Sequence, residues 1–236
     1  MCVTRFAPAA DGSNGALNRA AWKTGLKGIS GGVSDHRNVV LPDRDVRRLV
    51  VEAAKEGPEF GLLVEVAAVT GARRSQIARI LVRDLKRDCV EMPSSRKGRG
   101  KKKILRRQVP IPPGLAARLR ETARGKAEDA ILLARPGGRP WGRCDHTLPF
   151  KRTAERAKLD PAVVTMYALR HSHITAQLLA QVPIRIVAAI HDTSVAMIER
   201  TYSAEIDRHA DDLLRPTLLD MGPEFGRSSE RKVVSL

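Results

Sequence analysis

The chain has 236 residues, of which 42% are hydrophobic and only 3% aromatic, and its formal net charge at pH 7 is +16. A chain of this length can form one large domain or two small ones, with a substantial core built mainly from aliphatic side chains. A positive charge of this size indicates a polyanionic partner, with nucleic acid first and an anionic membrane surface second.

Several classes of protein are excluded by the sequence. There is no run of about 18 apolar residues that would span a membrane, and the N-terminal stretch has no apolar segment typical of a signal peptide. The three cysteines, Cys2, Cys89 and Cys144, form no C-x-x-C pair. A zinc site and a disulfide framework are therefore not expected, and a reducing cytosol suits the free thiols. The chain also has no phosphate-binding glycine loop, no dinucleotide motif and no internal repeat.

The first half of the chain is predicted to be helical after an irregular leader. Residues 1–40 are rich in Gly, Ala and Ser, with one short helical patch at ALNRAAW. A first helix is predicted from Pro42 to Gly57, and a second helix, apolar on most sides and therefore central, is predicted to end at Gly71. Ser75 is predicted to cap a third helix, SQIARILVRDL.

The hydrophobic period then changes from that of a helix to that of a strand. CVEMP and RRQVPIP are predicted to be short strands, and the basic segment SSRKGRGKKKILR between them a flexible hairpin tip. Helices are predicted again at PGLAARLRETARG, TLPFKRTAERAKL, YALRHSHITAQLLAQ, PIRIVAAIH and SVAMIERTYSA. The predicted fold is mainly α with a small antiparallel β-hairpin or sheet (α+β). Residues 1–40 would be a leader, 41–215 the domain and 216–236 a polar, mobile tail.

Three segments carry residues that suit phosphate chemistry, and each also has a structural interpretation. Arg73 follows a helix end, where a guanidinium and backbone amides can bind a phosphate, although Arg73 and Arg74 can equally cap helix carbonyls. The run from Lys97 to Lys103 is either a solvated charge run or a loop that contacts phosphates. Tyr202, at the end of a short amphipathic segment, would ordinarily be a half-buried packing residue.

The order of these segments resembles the catalytic domain of the tyrosine recombinases, also called phage integrases. TGAR resembles the T-G-x-R box of the family, YALRHS its H-x-L-R-H box, and TSVAMIERTY the segment that ends in the nucleophilic tyrosine. The resemblance covers residues 40–206 approximately. It implies the catalytic-domain fold of that family, double-stranded DNA as the partner, and a homo-oligomer of up to four copies on DNA. It also implies no metal or other cofactor, no membrane, and a cytoplasmic location at the nucleoid.

The resemblance implies a chemical role for each motif. In this family a tyrosine oxygen attacks a phosphodiester, forms a 3′-phosphotyrosyl link and releases a 5′-hydroxyl, so that rejoining needs no ATP. Arg73 and Arg170 would converge on the phosphoryl oxygens and hold them by bidentate hydrogen bonds. Tyr202 would be the nucleophile, and a lysine of the hairpin would protonate the leaving oxygen.

Three features depart from the family pattern. Tyr167 stands where the H-x-x-R box has histidine, and tyrosine is the poorer general base near neutrality. IHD replaces the family's L-G-H turn, so that Asp192 occupies the histidine position and His191 lies one residue earlier. We favour His191, because an anion beside a phosphate would repel it, although the helix register could select Asp192. Residues 1–40 lack most of the family's N-terminal core-binding domain, of which ALNRAAW would be the last remnant.

The position of the hairpin lysine has two interpretations. Counting forward from VEMPSS gives Lys97, and counting backward from QVPIP gives Lys102. We favour Lys97, because SRKG is most similar to the family's S-K-x-G. In YALRHS, His171 is expected to support or orient its neighbours and His173 to be structural. Other residues expected to bind DNA are Arg74, Arg96, Lys101, Lys102 and Lys103.

The sequence therefore predicts a site-specific DNA recombinase, the integrase of a mobile element. Two alternatives remain open at this point. The first is a truncated, catalytically weak or inactive DNA-binding remnant of an integrase, favoured by the missing N-terminal domain and the altered histidines. The second is an enzyme similar to type IB topoisomerases, which shares the chemistry but relaxes supercoils without exchanging strands.

Overall fold

The structure, a computed structural model, describes residues 39–95 and 104–219. The chain divides after His173 into two units, which are described separately below. The predicted leader, the tip of the hairpin and the end of the tail lie outside the described residues.

The first unit begins with two helices packed against each other, α1 (Asp43–Ala54) and α2 (Pro58–Thr70). Both helices confirm the sequence prediction, and α2 is buried on most of its sides, as its apolar composition requires. The two helices approach closely at Gly61, where a Cβ would lie 2.8 Å from the Cα of Ala54. Gly71 ends α2 in the left-handed conformation that glycine adopts most easily after a helix.

The third predicted helix is wrong in both its length and its cap. Helix α3 spans only Arg74–Ile77, and Ser75 lies inside it instead of capping it. The chain leaves the helix because Leu81 pairs with Ile131 in an isolated antiparallel bridge. This long-range pairing overrides the apolar periodicity of the segment, and a 3-10 turn at Val82–Asp84 follows.

The strand prediction is confirmed by a two-stranded antiparallel sheet within the described residues. Strand β1 (Cys89–Pro93) pairs with β2 (Arg106–Pro110), and the buried residues Val90 and Val109 lie opposite each other. Helix α3 contacts β1. The mainly helical chain with this one small sheet confirms the predicted α+β class.

Two further helices complete the first unit. Helix α4 (Pro113–Ala123) buries one aliphatic face, and α5 (Thr147–Arg156) buries Phe150 and packs against α1. Arg152 and Arg156 on α5 form ion pairs with Glu56, just beyond the end of α1. Helix α6 (Met166–Leu179) then begins, and its residues up to His173 belong to this unit.

The second unit contains the rest of α6 followed by short helices. These are α7 (Ile184–Ile190), α8 (Val195–Arg208), α9 (Ala210–Leu214) and a 3-10 turn at Arg215–Thr217. Ser194 caps α8 by accepting a hydrogen bond from the Met197 amide at 3.2 Å. The core of this unit is an aliphatic cluster of Ile174, Leu178, Val187, Ala188 and Ile198, together with Tyr202.

Candidate functional site

Arg170 is the best-defined of the predicted site residues. It lies on α6 in the first unit and is only 3% exposed. Its Nη1 donates a hydrogen bond of 2.8 Å to the carbonyl of Gly71, which is 99 residues away in the sequence. A buried guanidinium requires such partners, because an unpaired charge away from water is very costly. This hydrogen bond brings the two predicted arginine boxes together in one place.

Arg73 lies two residues after Gly71, at the N-cap position of α3. Its amide donates to Oε1 of Gln76 at 3.1 Å, and Nε2 of Gln76 donates to the Pro93 carbonyl at 2.9 Å. Gln76 is buried. It therefore connects the Arg73 segment to the end of β1, next to the hairpin that contains the candidate lysines. That the guanidiniums of Arg73 and Arg170 share one anion stays a prediction.

Gln76 is a positioning residue that the sequence analysis missed. A signal was present, because a glutamine three residues after an N-cap residue has the spacing of a capping box. A second contact joins the same two elements, since Nη2 of Arg79 donates to the Ser94 carbonyl at 2.7 Å. The arginine segment and the strand that leads to the hairpin tip are thus fixed to each other by two hydrogen bonds.

Tyr167 and His171 form an aromatic pair at the start of α6. Their ring centroids are 4.8 Å apart in an edge-to-face arrangement with an interplanar angle of 79°. Tyr167 is 46% exposed, whereas His171 is buried. Tyr167 is therefore accessible to a ligand from solvent, and His171 packs beneath its ring.

The next two residues of α6 anchor the helix. Oγ of Ser172 accepts a hydrogen bond of 2.7 Å from the Leu41 amide. Burial lowers the pKa of His173, opposed by a hydrogen bond to the backbone of Ala68 and reinforced by the charge of Arg170. A partly buried His173 that is hydrogen-bonded to the backbone of Ala68 suits the structural role expected for it.

Arg74, expected to bind DNA, is bonded to the protein in this structure. Its Nη1 donates to the carbonyls of Trp141 and Gly142, at 3.1 and 3.0 Å. The arginine therefore fixes a loop that lies 67 residues further along the chain. Its contact with DNA stays a prediction.

The second unit contains three further candidate residues. His191, directly after α7, is 1% exposed, and its Nε2 lies 2.8 Å from Oε1 of Gln177 on α6. Asp192 is partly exposed and has a positive φ of 52°. Tyr202 lies on α8, and its side chain is 6% exposed within the aliphatic cluster. Whether His191 or Asp192 contacts a phosphate stays open.

The remaining predicted residues lie outside the described part of the chain. They are Arg96, Lys97, Lys101, Lys102 and Lys103. Within residues 39–95 and 104–219, no group of three or more His, Cys, Asp or Glu side chains could hold a metal ion. In the same residues, no helix is long and apolar enough to cross a membrane.

Comparison with known structures defines the class of fold. The crystal structure of the XerA recombinase is similar with a TM-score of 0.61 and 19% identity, over 89% of this chain and 78% of that chain. The catalytic domain of bacteriophage HP1 integrase is similar with a TM-score of 0.52 and 19% identity, over 77% of this chain and 99% of that one. A lambda integrase dimer bound to a COC′ core site is similar with a TM-score of 0.55 and 16% identity, over 70% of this chain and 48% of that chain. The fold is that of a tyrosine recombinase catalytic domain.

The sequence profile of the phage integrase family matches residues 40–209, which is most of the chain. The chain therefore belongs to the phage integrase family, as its motifs predicted. The matched residues include Arg73, Arg170, His191 and Tyr202. Comparison with curated protein sequences gave no match.

Proposed function

We propose that the chain is a site-specific DNA recombinase that cuts and rejoins DNA strands through a 3′-phosphotyrosyl intermediate. The observation that carries this proposal is the hydrogen bond from Arg170 to the Gly71 carbonyl, which joins the two arginine boxes. The net charge of +16 supports a DNA partner. Action as a homo-oligomer on DNA is part of the same proposal.

The two arginines would stabilise the charge that develops on the phosphoryl oxygens. A guanidinium has five N–H donors, and the bond to Gly71 uses one donor of Arg170 while fixing its orientation. Arg73 precedes α3 on a segment fixed to β1 through Gln76. Donors held in place before the reaction lower the barrier without needing to reorganise during it.

Tyr202 would attack the phosphorus and form the bond that links the protein to the 3′ end. A free tyrosine hydroxyl has a pKa near 10, so the nucleophile must lose its proton to a neighbouring base or to solvent. The Tyr202 residue is 6% exposed and packs in the aliphatic cluster, so the cluster would hold its ring during the attack. His191 would stabilise the phosphate, and its Nε2 lies 2.8 Å from Oε1 of Gln177, which would orient the ring.

Lys97 would give its proton to the 5′ oxygen as that oxygen leaves. A substrate with sulfur in place of the 5′ bridging oxygen has a better leaving group, so it needs no such proton. It should restore cleavage to Lys97→Ala. Restoration of Lys102→Ala instead would assign the proton donor to Lys102.

The main test uses a DNA substrate nicked near the cleavage site, so that the cleaved intermediate cannot be resealed. The parent chain should form a covalent adduct that survives denaturing electrophoresis. Tyr202→Phe removes one oxygen and retains the packing area of the ring, so it should fold and bind DNA but form no adduct. An adduct in the Phe variant would show that Tyr202 is not the nucleophile. Tyr167, the other tyrosine in the sequence, would then be the next candidate.

A non-catalytic DNA-binding protein is the second candidate. The burial of Tyr202 and His191, and the tyrosine at position 167, favour it. This candidate predicts DNA binding by the parent chain with no adduct on the nicked substrate. A topoisomerase-like activity would instead appear as relaxation of supercoiled plasmid without exchange of strands.

A further inference from the structure

Residues 135–145, here called the Trp141 loop, lie on the surface of the first unit between the bridge at Ile131 and helix α5. The loop is fixed by a buried aromatic ring, because Trp141 is 8% exposed and packs on Phe60 with ring centroids 5.7 Å apart. The guanidinium of Arg135 lies 5.7 Å from the centroid of the Trp141 ring. Most surface loops have no such anchor, and they move more freely.

A carboxylate closes the Trp141 loop on itself. Oδ2 of Asp145 accepts hydrogen bonds from Nη1 of Arg135 and from the Gly142 amide, both at 2.7 Å. The Gly142 amide, followed by the charges of Arg135 and Arg74, lowers the pKa of Asp145. A Cβ at position 142 would lie 2.9 Å from Oδ2 of Asp145, so a larger residue there would displace this carboxylate. The two ends of the loop are therefore joined through an ionised side chain.

Arg74 ties this closed loop to the candidate site. Its Nη1 donates to two successive carbonyls of the loop, those of Trp141 and Gly142. Arg74 is also the residue directly after Arg73. The Trp141 loop therefore lies beside the segment proposed to hold the scissile phosphate.

Two arginines of the loop, Arg139 and Arg143, are exposed. In the part of the chain that the structure describes, neither guanidinium makes a hydrogen bond or an ion pair. Arg135 and Asp145 neutralise each other, and burial together with the charge of Arg74 lowers the pKa of the adjacent His146. The net charge that the loop presents to solvent is therefore that of Arg139 and Arg143.

We infer that the Trp141 loop is a preformed contact for the DNA phosphate backbone, and that Arg74 is the positioning residue that holds it. This replaces the direct DNA contact that the sequence predicted for Arg74, and it rests on the proposed function for the identity of the partner. A loop that is already ordered loses little conformational entropy when its arginines bind phosphates. DNA fits better than an acidic protein, because a phosphate at Arg73 would belong to a regular series with one phosphate per strand for about every 3.4 Å of helix axis.

The first experiment measures the affinity of the full chain for a short fluorescent duplex over a range of salt concentrations. Arg139→Ala and Arg143→Ala should each reduce the slope of log K against log salt by about 0.9, the value for one lost phosphate contact. Arg87→Ala is the matched control, because Arg87 is also exposed but precedes β1, at the end of the hairpin opposite its tip. A five-residue strand spans about 17 Å, so this control should leave the slope unchanged.

The second experiment tests whether Arg74 acts through the loop. Arg74→Ala should weaken binding in the parent but have little further effect when Arg139 and Arg143 are already alanine. If Arg74 contacted a phosphate directly, Arg74→Ala would instead weaken DNA binding further in the variant that already has alanine at positions 139 and 143. In a Trp22→Phe background, Arg74→Ala should also shift the emission of Trp141 to longer wavelength without DNA, because the released ring meets water.

Several outcomes would overturn this inference. One such outcome is that Arg139→Ala and Arg143→Ala leave the slope of log K against log salt unchanged. Another is that Arg87→Ala reduces this slope as much as they do, because the effect would then come from net charge alone. Additive losses for Arg74 and the two loop arginines would contradict the positioning role. A parent that binds DNA but forms no adduct would end the recombinase proposal and leave the loop contact intact. A parent without affinity for DNA would end both.

Discussion

Arg170 and Tyr202 are almost equally buried, at 3% and 6% exposure, but they are held in different ways. A hydrogen bond to the Gly71 carbonyl holds Arg170, whereas an aliphatic cluster that includes Leu178 and Ile198 surrounds Tyr202. Hydrogen bonds are directional, and apolar packing is not. The hydrogen bond therefore fixes the orientation of Arg170 directly, while the apolar packing of α8 contributes to the position of Tyr202.

The largest effect on the reaction should come from removing the oriented charge. Arg170→Ala should slow adduct formation by about two to three orders of magnitude, or about 3 kcal/mol at the transition state, by analogy with the loss of an oxyanion donor. Arg170→Lys should restore little of this rate, because it keeps the charge but loses the planar donor group. Single-turnover cleavage of the nicked substrate measures both. Parental cleavage by the Lys variant would mean that charge alone suffices and that orientation contributes nothing.

The packing around Tyr202 can be tested through Ile198, which is fully buried in the same cluster. Ile198→Ala should lower the free energy of unfolding by about 2–5 kcal/mol, because it leaves a cavity. Val195→Ala, at a partly buried position that also packs on the cluster, should cost less. Urea unfolding measures these changes. Equal losses for the two variants would show that the cluster does not depend on burial in the way described.

Gln76 tests the directional contacts beside Arg73. Gln76→Glu replaces the Nε2 donor by an oxygen that faces the Pro93 carbonyl, so it should lower the free energy of unfolding by about 1–3 kcal/mol. Gln108→Glu, at an exposed position on β2, is the control and should lower stability less than Gln76→Glu, since the change there is a like charge facing Glu91 across the sheet. The difference is measured by urea unfolding at neutral pH. A Gln76 variant as stable as the Gln108 variant would remove Gln76 as a connection between the two elements.

The smallest effect concerns pH. The pKa of His173 is lower in the folded chain than its ordinary value of 6.5, so the unfolded chain binds the proton more tightly. The contribution of His173 to stability is therefore fully present above 6.5 and is lost as the pH falls below it. The urea concentration at the unfolding midpoint should decrease as the pH is lowered from about 7 to 5, and the midpoint of His173→Gln should decrease less over the same range. His146, whose pKa is also lowered, is present in both proteins and cancels in the comparison. A steeper decrease in the variant would contradict the assignment.

Helix and strand positions were readable from the sequence wherever the signals are local. Pro42, Gly57 and Gly71 mark the ends of α1 and α2, and prolines close the two strands. The end of helix α3 could not be predicted from the sequence, because continuing the helix competes with the bridge from Leu81 to Ile131. A local pattern contains no information about that distant partner. Periodicity therefore predicted a long helix where only Arg74–Ile77 is helical.

The same distinction applies to the candidate site. The order of the motifs identified Arg73, Arg170 and Tyr202, because those residue types recur at fixed places in a known family. The bonds of Arg74 to the carbonyls of Trp141 and Gly142 could not be predicted, since they join segments that only folding brings together. The sequence therefore named Arg74 for its charge, whereas the carbonyls that it binds were visible only in the structure.

The left-handed backbone at Gly71 has a consequence for how this protein can evolve. Its φ is 57°, a conformation that costs most residues with a Cβ about 1–2 kcal/mol, and its carbonyl is the acceptor of Arg170. Single-nucleotide changes in a glycine codon give Ala, Val, Ser, Cys, Trp, Arg, Asp or Glu. Of these, Asp alone is a residue that visits the left-handed region with any frequency. Substitution at position 71 would therefore cost stability at the residue whose carbonyl orients Arg170, although glycine itself has no side chain.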